Sequence, residues 1–143
     1  MYGNDVSLNR NIILLSNVTE KYTVSNCDVD VQPLESKFRE LILNINNTLD
    51  RNFNGILINT FINGRDCIGS VNDSSEVFIF LGSQRKFRLR DSKTRKIEAD
   101  ILLNDSDLIF CTNKFMSKLR YEVPSQAKIK ETSFLLIFKE ISK

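Results

Sequence analysis

The stretch from Phe53 to Arg90 does most to limit what this chain can fold into, because it alternates strand-length apolar runs with turn signals. Gly55-Ile56-Leu57-Ile58-Asn59-Thr60-Phe61 is an apolar run of strand length. Asn63-Gly64 follows, a pair that tolerates positive φ and predicts a hairpin turn. Val77 to Leu81 is a second apolar run, and Gly82 breaks it. Arg85-Lys86-Phe87-Arg88-Leu89-Arg90 then alternates charged with apolar side chains, as a half-exposed strand does. The stretch reads as a strand, a turn, a polar loop and a second strand pair.

The rest of the chain is consistent with that start. Ile12-Ile13-Leu14-Leu15 is an apolar run that reads as an edge or core strand. One helix is predicted over 33–50: Leu34, Phe38, Leu41, Ile42, Ile45 and Leu49 recur at steps of three and four, and Pro33 suits a first turn. This is a scaffold helix packed on a sheet. Asp91 to Lys96 is a polar hairpin, Ile97 to Leu103 a strand, and Asn104-Asp105-Ser106-Asp107 a turn by composition. Leu108-Ile109-Phe110-Cys111 reads as a buried strand. A length of 143 residues fits one domain, 1–143, with a core large enough to stand without staples. The expected class is mostly β with one or two helices, α+β.

Composition excludes several chemistries. The chain has no histidine, so neither an iron site of two imidazoles and one carboxylate nor a Ser-His or Cys-His nucleophile pair can be built from it. The net charge of +2, from 20 basic and 18 acidic residues, does not by itself imply a polyanionic partner. No run approaches the ~18 apolar residues of a membrane-spanning helix. The first ten residues lack the apolar centre of a signal peptide. Cys27, Cys67 and Cys111 are an odd set of widely spaced cysteines, which reads as reduced thiols in an intracellular protein of cytoplasm or nucleus. Richness in Asn and Ile would suit an AT-rich viral or parasite genome.

Several segments in order resemble the AlkB family of iron and 2-oxoglutarate-dependent dioxygenases. Leu57-Ile58-Asn59-Thr60-Phe61 is similar to that family's Leu-Ile-Asn-Arg-Tyr strand end. Ile68-Gly69-Ser70-Val71-Asn72-Asp73 stands where members have Ile-Gly-x-His-x-Asp, and Leu81-Gly82-Ser83-Gln84-Arg85-Lys86-Phe87-Arg88-Leu89-Arg90 resembles Leu-Gly-x-x-Arg-x-Phe-x-Leu-Arg. Lys118 to Pro124 is similar to Trp-x-His-x-Val-Pro, and Ser133 to Lys139 to the closing Arg-x-x-Leu-Thr-Phe-Arg strand. At the N-terminus, Tyr2-Gly3, Asn9-Arg10 and Tyr22-Thr23-Val24-Ser25-Asn26 resemble the family's nucleotide-recognition lid.

The resemblance implies a double-stranded β-helix, or jelly roll: a degenerate lid over 1–26, the scaffold helix, and a jelly-roll core over 53–143. It also implies that the chemistry is lost. Val71 and Tyr121 replace the iron histidines, and Asp73 alone remains of the iron ligands. Ser133 and Lys139 replace the two arginines of the closing strand, and Phe61 replaces the tyrosine that meets the cosubstrate. The expected protein is a catalytically inactive pseudoenzyme with no cofactor, neither iron nor 2-oxoglutarate. The expected partner is nucleic acid, DNA ahead of RNA, or a protein in a complex, with no membrane. Tyr2 and Arg10 in the lid, with Arg85, Arg88, Lys93, Arg95 and Lys96, are the candidate nucleic-acid contacts, since cationic side chains there would bind phosphate without reading sequence. The alternative is a purely structural or protein-interaction subunit that reuses the fold. A remoter alternative is an enzyme with a hard cation on Asp73, Asp105, Asp107 and Glu122.

Overall fold

The structure is a computed structural model and describes residues 10–142; Tyr2 lies outside the described residues. In chain order the elements are β1 (Asn11–Ser16), β2 (Thr23–Val24), β3 (Cys27–Asp28), β4 (Asp30–Gln32), α1 (Ser36–Leu49), β5 (Gly55–Phe61), β6 (Ile68–Val71), β7 (Val77–Gly82), β8 (Arg85–Asp91), β9 (Ile97–Leu103), β10 (Asp107–Phe110), α2 (Asn113–Met116), β11 (Leu119–Val123) and β12 (Ser133–Lys139). The described residues are mostly β with two helices. No helix among the described residues is long and apolar enough to cross a membrane.

The strands form a six-stranded sheet in the order β10-β7-β12-β5-β1-β4, a four-stranded sheet in the order β6-β11-β8-β9, and a small β2-β3 hairpin. All pairings are antiparallel except β1 with β4. From β5 onward the chain passes repeatedly between the two larger sheets. β5, β7, β10 and β12 belong to the six-stranded sheet, and β6, β8, β9 and β11 to the four-stranded one.

The main core lies between these two sheets. Inward side chains of the six-stranded sheet, among them Leu14, Leu57, Phe61, Phe78 and Ile137, meet Phe87, Leu89, Tyr121 and Val123 of the other. Phe78 packs on Phe87 and Tyr121 with ring centroids 5.3 and 5.2 Å apart. Each fully buried side chain of this size contributes roughly 1.5–3 kcal/mol. The opposite face of the six-stranded sheet carries a second cluster, in which Ile42 and Ile45 of α1 cover Leu15, Ile56, Val77, Leu136 and Phe138.

Several expectations are corrected. Asn63-Gly64 is not a hairpin turn, because β5 pairs with β1 and β12 and not with β6. The segment is a crossing between sheets, pinned where Gly64 N donates to Ile129 O at 2.8 Å and its carbonyl accepts from Gln126 N at 2.7 Å. Glycine is required there for closeness, since a Cβ would lie 1.8 Å from Gln126 O. β7 and β8 likewise do not pair; they lie in different sheets, joined through Gly82 at φ 99°. α1 begins at Ser36 and not at Pro33, because the N-cap residue Glu35 is extended at φ −73° and ψ 164°. It ends at Leu49, where Asp50 adopts φ 55°. β10 is not a buried strand. It lies at the sheet edge, and Leu108 and Phe110 point to the helix-bearing face outside the cluster under α1, 50% and 39% exposed. The Asp91–Lys96 hairpin forms as the composition indicates: Asp91 Oδ1 accepts from Lys93 N and Thr94 N, both at 2.8 Å, and Arg95 turns at φ 67°.

Candidate functional site

The strand register brings four of the six replaced or retained active-site positions to one end of the core. Val71 on β6 is directly opposite Tyr121 on β11, and Asp73 follows two residues past Val71. Lys139 closes β12 on the facing sheet. Together with Arg10, Asn59 and the Tyr22–Ser25 segment they line a cavity of about 230 Å³ between the sheets.

The polar atoms of this cavity form one network. Lys139 Nζ donates to Asp73 Oδ2 at 3.2 Å and to Ser75 Oγ at 2.7 Å. Tyr121 Oη donates to the same Asp73 oxygen at 3.1 Å. Asp73 Oδ1 accepts from Ser75 N at 3.1 Å, so both carboxylate oxygens are engaged. Burial pushes the Asp73 carboxyl up, but the Lys139 charge and the hydrogen bonds from Ser75 and Lys139 outweigh it and hold the carboxyl below its usual range. Burial, reinforced by the Asp73 charge, raises the Tyr121 phenol well above its ordinary value of 10.0, so it stays a donor. Its ring stacks on Phe87 at 5.5 Å, which fixes the hydroxyl.

Ser133 and Phe61 are not part of this cluster. They form a cross-strand pair at the far end of β12, six residues from Lys139 and so roughly 20 Å away. Ser133 is fully buried and its Oγ has no hydrogen-bond partner among the described residues. The Arg85 guanidinium lies over the Phe61 ring, 4.8 Å from its centroid.

The iron centre of the family that the sequence resembles does not fit these residues. Val71 offers no donor atom, Tyr121 is a protonated hydrogen-bond donor, and Asp73 is held by an ammonium group. The hard-cation set also stays apart. Asp105 accepts from Gly82 N, Asp107 from Asn104 N, and Glu122 from Arg90, while Asp73 is bound to Lys139. Among the described residues no three Cys, Asp or Glu side chains gather where they could hold a metal.

The candidate phosphate contacts divide three ways. Arg85 points inward, because β8 alternates and its inward positions are Arg85, Phe87 and Leu89. It is fully buried, with its guanidinium donating to Asp66 O at 2.6 Å, Pro124 O at 3.0 Å and Asn63 O at 3.3 Å. This corrects its assignment to a phosphate-facing surface: it ties three loop carbonyls to the core. Arg10 faces the cavity, where Nε donates to Asn59 Oδ1 at 3.0 Å. Arg88, Lys93, Arg95 and Lys96 lie on the outer face of the four-stranded sheet and its β8–β9 turn.

That outer face is crowded with cations. Arg90 and Arg120 are directly opposite one another across β8 and β11. Arg88 donates to Asp100 at 2.8 and 3.2 Å, Lys86 approaches the same carboxylate at 3.8 Å, and Arg90 donates to Glu122. Arg120 is held by Ser70 Oγ and the Ser70 carbonyl at 2.8 and 3.0 Å. Lys93, Arg95, Lys96 and Lys118 are exposed beside them.

Sequence reasoning missed Asn59, Ser75 and the inward placement of Arg10. Asn59 carried a signal, a polar residue in the middle of an apolar strand, and it is fully buried, receiving Arg10 and donating to Leu135 O at 3.3 Å. Ser75 carried none. Compared with protein-family models and with curated protein sequences, the chain matches none.

Proposed function

We propose that this chain is a catalytically inactive, AlkB-like β-helix protein that binds nucleic acid through the outer face of the β6-β11-β8-β9 sheet. The alternation of β5 to β12 between two sheets supports the double-stranded β-helix. The convergence of Val71, Asp73, Tyr121 and Lys139 on one cavity supports the AlkB-like assignment, and the Lys139–Asp73 pair supports the absence of iron chemistry.

The observation that carries nucleic-acid binding is charge segregation. On this face, in its β8–β9 turn and at Lys118 before β11, eight cations (Lys86, Arg88, Arg90, Lys93, Arg95, Lys96, Lys118 and Arg120) stand against four carboxylates (Asp91, Glu98, Asp100 and Glu122). The excess of four exceeds the +2 of the whole chain, so the remaining surface is net acidic. Arg90 and Arg120 are directly opposite across strands, a like-charge pair that Glu122 neutralises only on the Arg90 side, so one positive charge of the pair is left for an anion. Such contacts read phosphate backbone and not base sequence. The test is binding of labelled DNA and RNA, single- and double-stranded, to the wild-type chain and to a K93E/R95E/K96E variant at low salt. A loss of affinity of tenfold or more in the variant, with unchanged thermal stability, is the expected outcome. Equal binding by both proteins would falsify the proposal.

A protein-partner role is favoured by a different observation. Leu108 and Phe110 on the edge strand β10, with Phe134 on β12, leave exposed apolar side chains on the helix-bearing face of the six-stranded sheet. Retention of a specific partner by the wild-type chain but not by L108D/F110D would support that role.

A further inference from the structure

We infer that the cavity between the sheets is a binding site for a small organic monoanion, a carboxylate on a short apolar body, held by Arg10. The inference goes beyond nucleic-acid binding and does not depend on it.

The charge of the cavity sets the ligand's charge. Lys139 and Asp73 neutralise one another through their 3.2 Å contact. Arg10 remains, and no carboxylate among the described residues pairs with it. Its Nε donates to Asn59 Oδ1, and Asn59 in turn donates through Nδ2 to Leu135 O, which fixes the plane of the guanidinium. The two Nη groups have no acceptor among the described residues, and a guanidinium fork presents parallel donors at the spacing of a carboxylate's oxygens. A cation drawn this far from water without a partner is costly, and an incoming anion relieves that cost. The cavity's one uncompensated charge calls for a monoanion and disfavours a dianion.

Size and lining set the rest of the molecule. At about 230 Å³ the cavity is smaller than the sites that hold drug-sized ligands, so the ligand is a small one. Leu57, Ile68, Val71 and Ile137 supply apolar wall beside Arg10, matching a short branched or aromatic body. Tyr121 gives its one hydrogen to Asp73, and Lys139 gives two of its three to Asp73 and Ser75, which leaves Arg10 with the larger set of free donors to anchor the anion.

The experiment titrates the wild-type chain with benzoate, 3-methylbutanoate, the neutral control benzamide, and inorganic phosphate, read by calorimetry and thermal shift. Both carboxylates are expected to bind and to raise Tm by ligand linkage, with benzamide and phosphate inert. Arg10→Gln, which keeps a donor for Asn59, is expected to weaken the carboxylates about tenfold or more. Methyl resonances of Ile68, Val71 and Ile137 should shift on binding, a wild-type readout that decides the matter if Arg10→Gln fails to fold. Equal binding of benzamide, phosphate binding as tight as benzoate, an Arg10→Gln variant of unchanged affinity, or no movement of those methyls would each overturn the inference. Nucleic-acid affinity measured with and without benzoate separates this site from the basic sheet face, since the two share no residue.

Discussion

Lys139 places an ammonium group on Asp73 at a point where the carboxylate is still 34% exposed, so water screens part of the pair. Replacing it by Met leaves the carboxylate without its cation, and the expected loss is about 1–2 kcal/mol, below the value for a fully buried pair. Chemical denaturation at pH 7 measures it. The pair also sets an acid limit. Asp73 titrates lower in the folded chain than in the unfolded one, so its contribution is present above the unfolded carboxyl pKa and is lost as pH falls through the folded value. K139M should flatten the acid limb of the stability profile. Tyr121 works in the opposite sense. Its raised folded pKa means that its contribution is complete below the unfolded value of about 10 and disappears as pH rises through the folded one. Tyr121→Phe should cost about 1 kcal/mol at neutral pH, for one hydrogen bond, and remove the alkaline dependence. Ser133 gives a converse case: its buried Oγ has no partner among the described residues, so Ser133→Ala should stabilise the chain by about 1 kcal/mol in the same denaturation assay. Of these residues, Asp73, Tyr121 and Lys139 stood out in the sequence through motif order, whereas their mutual hydrogen bonds did not. Those bonds join residues 48 and 66 positions apart, a distance no local pattern encodes.

At the level of elements, period-two alternation in Arg85–Asp91 put the apolar Phe87 and Leu89 on the inward row and Arg85 with them, but a charge in that row read as surface. Arg85, Phe87 and Leu89 form the buried row, so a charged residue enters the core with an aromatic and an aliphatic one. An arginine is tolerated there because three carbonyls receive it and Phe61 stacks under it. Arg85→Lys, which loses the planar fork, should destabilise by about 3 kcal/mol or more, measured by thermal or urea unfolding. Asn63-Gly64 shows the same limit from the turn side. The dipeptide indicated a bend but not its destination, and the bend leads to the other sheet because Gln126 and Ile129 bind its backbone. Gly64→Ala, whose Cβ would meet Gln126 O, should lower Tm even though no positive φ is required at that residue. Strand β10 was legible as a strand from Leu108 to Phe110, but its edge position depends on β7 being its sole neighbour in the sheet, a non-local pairing.

Across the whole molecule, a near-neutral chain carries a strongly uneven surface. Composition alone gave no reason to expect a polyanionic partner from +2. Folding β8, β9 and β11 side by side collects Lys86, Arg88, Arg90 and Arg120 on one face, and the β8–β9 turn adds Lys93, Arg95 and Lys96 at its border. The cavity lies elsewhere, between the sheets, so the proposed nucleic-acid surface and the proposed small-anion site are separate. The most direct measurement is the affinity of the wild-type chain for a short DNA duplex as a function of salt. The account predicts that log K falls linearly with log salt, with a slope of roughly −3 to −5 for several neutralised phosphates, and that K93E/R95E/K96E makes the slope about 2 to 3 shallower. Affinity that does not change with salt, or a slope unaltered by the triple substitution, would contradict it.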